Sequence, residues 1–297
     1  MDWSAALPTF VVTLREGVEA TLLVSIVLAY LKKSGNDRLN PWVYSGIGVG
    51  LGMSLLVGIL LQGILVALEH SNLAYANVIK EGLEAGFGIL AIALLSWMLI
   101  WMSKQAKSLK SGVESDLANL IQNGANAGWG VFGLTLVAVL REGFETVLFI
   151  SAKFQQGWTP AIGAFGGLMG AIAIGFLIFQ MGIKINLRRF FMVMGLLLLL
   201  IVSGLVVSAL RHVDGMAIAL SQMNATWNSY CGQTTCLLGP QLWDTSDILP
   251  DRQFPGILLK AFFGYTQNLY LAQAIGYILF LTMIGRLYIQ SLSPPKP

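Results

Sequence analysis

The sequence predicts an all-α polytopic membrane protein: seven transmembrane helices, three plus three in an inverted repeat and one more, N-terminus out and C-terminus in. Three observations predict it. Only 11% of the 297 residues are charged and 56% are hydrophobic, with a mean hydropathy of +0.71, whereas soluble domains carry about 25% charged residues. Seven apolar runs reach the ~20 residues that a bilayer crossing needs. The first and fourth runs are interrupted by nearly the same charged motif, LREGVEATLLVS at 14–25 and LREGFETVLFIS at 140–151.

The runs lie at about 8–31, 43–68, 82–102, 130–152, 161–183, 190–210 and 257–285. They leave no room for a separate soluble domain, so 1–297 reads as one transmembrane domain. Within it, repeat 1 covers about 8–103, repeat 2 about 130–211, an external loop 211–256, and the seventh span 257–285. The first run lacks a basic leader and a small-residue cleavage site, so a cleaved signal peptide is not expected. The net charge of +3 offers no basic footprint for nucleic acid.

Basic residues in the connections set the orientation. Lys32, Lys33 and Arg38 follow span one; Lys104, Lys107 and Lys110 follow span three. Lys184, Arg188 and Arg189 separate spans five and six, and Arg286 and Lys296 follow span seven. With seven spans these fall on one side, the cytoplasmic one. The other side holds the sparser Lys80, Lys153, Arg211, Arg252 and Lys260.

The two motifs align without gaps, Leu14, Arg15, Glu16, Gly17, Glu19, Leu22 and Ser25 against Leu140, Arg141, Glu142, Gly143, Glu145, Leu148 and Ser151. Three spans separate the copies, so their helices must run in opposite directions, the pattern of inverted-repeat transporters with a site near the midplane. Span two offers Gly48 and Gly52 with Gln62, and span five Gly166 and Gly170 with Gln180, as matching small-residue faces. The repeat does not extend clearly into spans three and six.

At 100° per residue, Arg15, Glu16 and Glu19 share one arc of their helix, as do Arg141, Glu142 and Glu145. Arg15 and Glu19 are four apart and can pair. Charges facing lipid at the bilayer centre are costly, so these six must face the bundle interior. Four carboxylates against two guanidinium groups leave a formal charge near −2, which a cation bound by hard oxygen ligands would neutralise. An Arg–Glu network that only pins two helices is the alternative, though membrane polar contacts average about 0.6 kcal/mol and make weak glue. A di-iron oxidoreductase would use Glu-x-x-His pairs, and no span carries a histidine. A transporter of another metal and a metal sensor remain open on chemistry alone.

Two Arg-Glu-Gly-x-Glu motifs in spans one and four of a seven-span chain resemble the iron permease family, also called oxidase-dependent iron transporters. The segments LWDTSDILPD at 242–251 and GILLKAFFGY at 256–265 are similar to the family's external loop and the start of its seventh span. The resemblance implies that Glu16, Glu19, Glu142 and Glu145 bind and pass iron, with Arg15 and Arg141 needed beside them. It implies iron as substrate, no tightly bound cofactor and no enzymatic step. It places the chain in the plasma membrane, a bacterial inner membrane by the bacterial members. An external or periplasmic iron-oxidising or iron-delivering partner is implied in the same way.

A weaker echo, KEGLE at 80–84, puts Glu81 and Glu84 at the outer end of span three, where the resemblance favours Glu81 as a point of iron access. Acids in a first helical turn also complement the helix dipole with no further role. Asp244 and Asp247 resemble an acidic motif of fungal members and would concentrate cations by electrostatic focusing; a solvated loop is rich in Asp in any case. His70 and His212 read as loop residues at span ends. Cys231 and Cys236 lie in the external loop, where an oxidising exterior permits a disulfide; two unpaired thiols are the alternative. Residues 104–128 read equally as an amphipathic helix on the inner surface or as a plain loop, and the tail SPPKP cannot be helical.

Overall fold

The computed structural model describes residues 5–69, 76–105, 109–122, 126–151, 159–179, 187–223, 231 and 235–292. His70, Lys107, Lys153, Gln180, Lys184 and the tail from residue 293 lie outside them. The described chain forms helices α1 (Ala6–Lys33), α2 (Asn40–Glu69), α3 (Ala76–Gln105), α4 (Leu109–Gln122), α5 (Ala127–Ser151), α6 (Thr159–Phe179), α7 (Leu187–Met223), α8 (Gly256–Phe263) and α9 (Leu271–Leu292). A short 3₁₀ turn, Asp37–Leu39, precedes α2. Strands β1 (Gln241–Asp244) and β2 (Asn268–Tyr270) pair antiparallel.

Among the described residues, five helical segments are long and apolar enough to cross a membrane: Asp37–Ile64, Asn77–Trp101, Thr159–Ile178, Arg189–Gln222 and Leu271–Ser291. Helices α1 and α5 have comparable lengths, 28 and 25 residues, but carry the charged motifs. Those two, with α3 and α7, form the centre. Val11 and Val12 of α1, Leu95 of α3, Phe149 of α5 and Leu198 and Leu205 of α7 share one core. The outer helices α2, α6 and α9 expose large apolar side chains, among them Leu55, Ile59, Phe165, Phe176, Leu279 and Met283. Such a belt suits hydrocarbon and not water.

Helix α1 ends in a Schellman turn. Gly35 takes φ +70°, Asn36 N–H donates to the Leu31 carbonyl at 2.9 Å, and Gly35 N–H donates to that of Lys32 at 3.2 Å. Lys32 and Lys33 complement the dipole at that end.

The packing of α1 on α6 is repeated by α5 on α2. A Cβ on Gly163 would strike the Ala6 carbonyl, and one on Gly46 would come 3.0 Å from the Phe132 carbonyl. Gly167 likewise meets Thr13 and Leu14, and Gly50 meets Val139 at 3.0 Å. Gly17 meets Ala171 at 2.6 Å and Gly143 meets Ser54; Gly175 meets Thr21 and Gly58 meets Val147 at 3.5 Å. Each contact maps onto the other by one constant shift along the motif helices and another along their partners. The register differs from the one expected. Gly48 and Gly52 look into open space, and Gly46, Gly50 and Gly58 make the contacts. Residue numbers rise together in both pairs, so α1 runs parallel to α6 and α2 to α5. Helix α3 runs against α7, with Gly82 on Met216 and Gly88 on Ala209.

One boundary moves: helix α7 continues to Met223, so residues 211–223, expected in the external loop, are helical. Residues 109–122, for which helix and loop were equal expectations, are helical, and Val113, Leu117 and Ile121 pack on Val27, Leu31, Val43 and Val131 at the ends of α1, α2 and α5.

Residues 257–285, expected as one span, are not one helix. Helix α8 stops at Gly264, whose φ of +67° a side chain disfavours, and Gly264 presses against Gly204 of α7. Residues 268–270 then pair with β1 before α9 starts. The irregular backbone is satisfied: Leu271 and Ala272 N–H donate to the Pro240 and Leu238 carbonyls, both at 3.0 Å. Gln273, fully buried, donates to the Val207 carbonyl at 3.1 Å and accepts from Tyr270 N–H at 3.2 Å. Gly264→Val combines a left-handed backbone with overpacking. We expect it to cost about 3 kcal/mol or more, read as a lowered thermal midpoint of the purified protein.

Candidate metal centre

The two motifs face each other where α1 meets α5. Each motif glycine allows a close neighbour, Gly17 toward α6 and Gly143 toward α2, so the charged arcs turn inward between the two helix pairs. Arg15 is enclosed, its side chain 4% exposed. Its Nη1 donates to Glu16 Oε1 at 3.3 Å, and its Nε lies 3.0 Å from Glu19 Oε1. Oxygens of Glu16, Glu19 and Glu142 lie within 4.8 Å of one another. Three of the four expected carboxylates therefore converge from two helices. Glu145 is not one of those three and pairs along its own helix with Arg141 Nε at 3.3 Å.

The two copies are not equivalent. The Arg141 side chain is 42% exposed and its guanidinium stacks over the Trp101 ring, 4.8 Å from the centroid. Arg141 and Glu142 line a cavity of about 720 Å³ that Leu23, Asp116, Trp129 and Leu134 also border. The cavity extends from α4 to Glu142, so one edge of the cluster borders open space beside that helix.

Burying carboxylate oxygens without partners is costly. Glu16 Oε2, Glu19 Oε1, Glu142 Oε2 and Glu145 Oε2 are all buried with no hydrogen-bond partner; Glu19 Oε1 has only the misaligned approach of Arg15. Every motif glutamate thus offers an unsatisfied oxygen to the interior. A cation with hard oxygen ligands is what that donor set would hold.

The secondary candidates divide. Glu81 and Glu84 sit near the start of α3, and His212 Nδ1 lies 2.9 Å from Glu81 Oε2 and 3.1 Å from Glu84 Oε2. His212 was expected in a loop. The extension of α7 carries it onto the helix face opposite α3. The apolar period continues past it through Val213, Met216 and Ala217, and that periodicity was the available signal. Asp244 is used locally: its Oδ1 accepts from Ser246 Oγ at 2.6 Å and Ser246 N–H at 3.0 Å, which holds its carboxyl below the usual range. Asp247 is exposed in the turn that follows. Cys231 and Cys236 are joined in a disulfide, and Asp214 of α7 accepts from the N–H groups of Cys236 and Leu237 at 2.9 and 2.6 Å.

A model of the iron permease FTR1 family matches residues 6–289 of this chain. An uncharacterized protein of Synechocystis sp. is 43% identical over 297 residues, covering 99% of this chain and 96% of that one. The ferrous iron permease EfeU of Escherichia coli O157:H7 is 30% identical over 262 residues, 87% of this chain and 86% of its own. The ferrous iron permease EfeU of Yersinia pestis is 29% identical over 276 residues, 92% and 89% of the two chains. No solved structure matches.

Proposed function

This chain belongs to the iron permease FTR1 family, and from that premise we propose that it moves ferrous iron inward through the carboxylates of its two motifs. Membership makes it a multi-pass membrane transporter of iron and not an enzyme. The observation that carries the finer reading is the convergence of Glu16, Glu19 and Glu142 within 4.8 Å, each with an unsatisfied buried oxygen.

Charge favours the ferrous ion. Four glutamates and two arginines sum to −2, which a divalent ion cancels; a trivalent ion leaves a net positive charge in a low-dielectric site. The relatives' names agree with that choice. Arg15 holds the empty carboxylates together and competes for them, so the ion binds without being trapped. Arg141, stacked at the cavity, is placed to release Glu142 and Glu145 as the ion departs toward α4.

In this reading seven helices cross the bilayer, N-terminus out, with basic loops on the cytoplasmic side, in a bacterial inner membrane. The repeated glycine contacts of α1–α6 and α5–α2 support two inverted three-helix units that rock about the shared site. Glu81, Glu84, Asp244 and Asp247 form the acidic outer approach, and an external iron-oxidising or iron-delivering protein supplies the ion there.

Uptake of labelled Fe(II) and Fe(III) by proteoliposomes of the purified protein, with Mn(II) and Zn(II) as competitors and imposed pH gradients, tests this. Fe(II) accumulation that Fe(III) does not match is expected. Equal or preferential Fe(III) transport overturns the ferrous assignment, and outward-only movement overturns the direction.

A further inference from the structure

We propose that His212 completes a second metal site with Glu81 and Glu84, a mixed nitrogen–oxygen site that takes a borderline divalent transition ion before it reaches the motif glutamates. The proposal rests on the reading that Fe(II) traverses the chain from the side that carries the β1–β2 pair.

The geometry comes from two antiparallel helices. Glu81 and Glu84 are three apart on α3 and so share a face; His212 projects from α7 between their carboxylates. One oxygen of each glutamate and one ring nitrogen lie within 4.8 Å of one another, close enough for one ion to bridge all three. Gly215, one turn along α7, gives Glu81 the room it occupies: a Cβ there would lie 2.9 Å from Glu81 Oε2.

The cluster is enclosed but not sealed. The side chains of Glu84 and His212 are 4% and 12% exposed, and that of Glu81 is 27% exposed, which gives the site one open edge. The residues flanking His212 anchor two outer segments. Arg211 donates to Thr266 Oγ1 at 3.1 Å and to the Asn268 carbonyl at 3.4 Å, and Asp214 holds the disulfide loop. The position of His212 is thus fixed from both sides, as a ligand requires.

The donor set differs from that of the motif site, which is carboxylate alone. Imidazole suits Fe, Zn, Ni and Cu, while carboxylate oxygens alone suit Mg, Ca and Mn. Placing nitrogen at the outer site would reject the abundant hard cations before they reach an all-oxygen cage that cannot. Selection and passage are then divided between two sites.

The test uses tag-free, full-length protein in lipid nanodiscs with His70→Gln, so that His212 is the one remaining histidine, and Glu16→Gln with Glu142→Gln to silence the motif site. One equivalent of Cu(II) is added, and electron spin echo envelope modulation reports nitrogen from a coordinated imidazole. We expect imidazole modulation that disappears in His212→Gln and also in Glu81→Gln/Glu84→Gln. Modulation that survives loss of both glutamates means adventitious binding to a lone histidine and overturns the proposal, as does its absence with His212 intact. In the otherwise native chain, His212→Gln should raise the half-saturating Fe(II) concentration about tenfold with the maximal rate retained. Unchanged half-saturation overturns the role in transport. Failure of the native chain to take up iron would instead sink the permeation reading and leave the spectroscopic result standing.

Discussion

Replacing Glu16 or Glu142 with Ala is expected to abolish iron uptake while the protein remains in the membrane at normal levels. The isosteric Glu→Gln change should do the same, because what is lost is a charged ligand and not volume. Either substitution removes one of three converging carboxylates and cuts the site's formal charge from −2 to −1. Loss of a supporting partner alone costs a metal site about 10–100-fold in affinity, so loss of a direct ligand should reduce uptake by about a hundredfold or more. Folding should tolerate both changes: Glu142 Oε2 and Glu16 Oε2 are buried and unpartnered, and Arg15, which loses Glu16 Oε1, keeps its approach to Glu19 at 3.0 Å. Labelled-iron uptake, normalised to membrane protein detected by immunoblot, checks both parts. Normal uptake by both variants removes these residues from the site.

Arg15→Met should have the largest effect on stability. Its guanidinium is enclosed among the carboxylates and bridges Glu16 and Glu19. Removing one partner of a buried pair leaves uncompensated charge and costs about 3–5 kcal/mol. The variant should be degraded in cells and unfold at a lower temperature when purified. Adding Glu19→Gln removes the stranded charge and should restore most of the stability but not transport. Arg141→Met should be milder, because that side chain is 42% exposed and solvent screens its pair with Glu145. Equal destabilisation by the two arginine changes would contradict the asymmetry between them.

Much of this architecture was legible because hydrocarbon thickness dictates run length. The long helices fall close to the apolar runs, and of the six charged residues that the doubled motif named the fold turns five inward between α1 and α5, while Arg141 is 42% exposed. What escaped the sequence depends on contacts distant along the chain. The run Gly46-x-Gly48-x-Gly50-x-Gly52 places glycine on opposite faces of α2, and only the position of α5 decides that Gly46 and Gly50 are the packed ones. The seventh span read as continuous because averaged hydropathy hides Thr266, Gln267 and Asn268. Their polar backbone is held by β1, by Arg211 and by the Gly204–Gly264 contact. Helix α7 read as ending near Arg211 because Arg211, His212 and Asp214 lower its hydropathy, yet each finds a partner on another segment. The identical motifs gave no hint that Arg15 would be buried and Arg141 stacked on Trp101 at a cavity.

The sharpest measurement is anomalous diffraction at the iron edge from crystals of the protein soaked in Fe(II) under reducing conditions. A peak should stand about 2–2.5 Å from carboxylate oxygens of Glu16, Glu19 and Glu142 together, bridging α1 and α5. Iron bound without ligands from both helices, or carboxylates turned apart with no ion between them, would contradict a shared cage built by the two motifs.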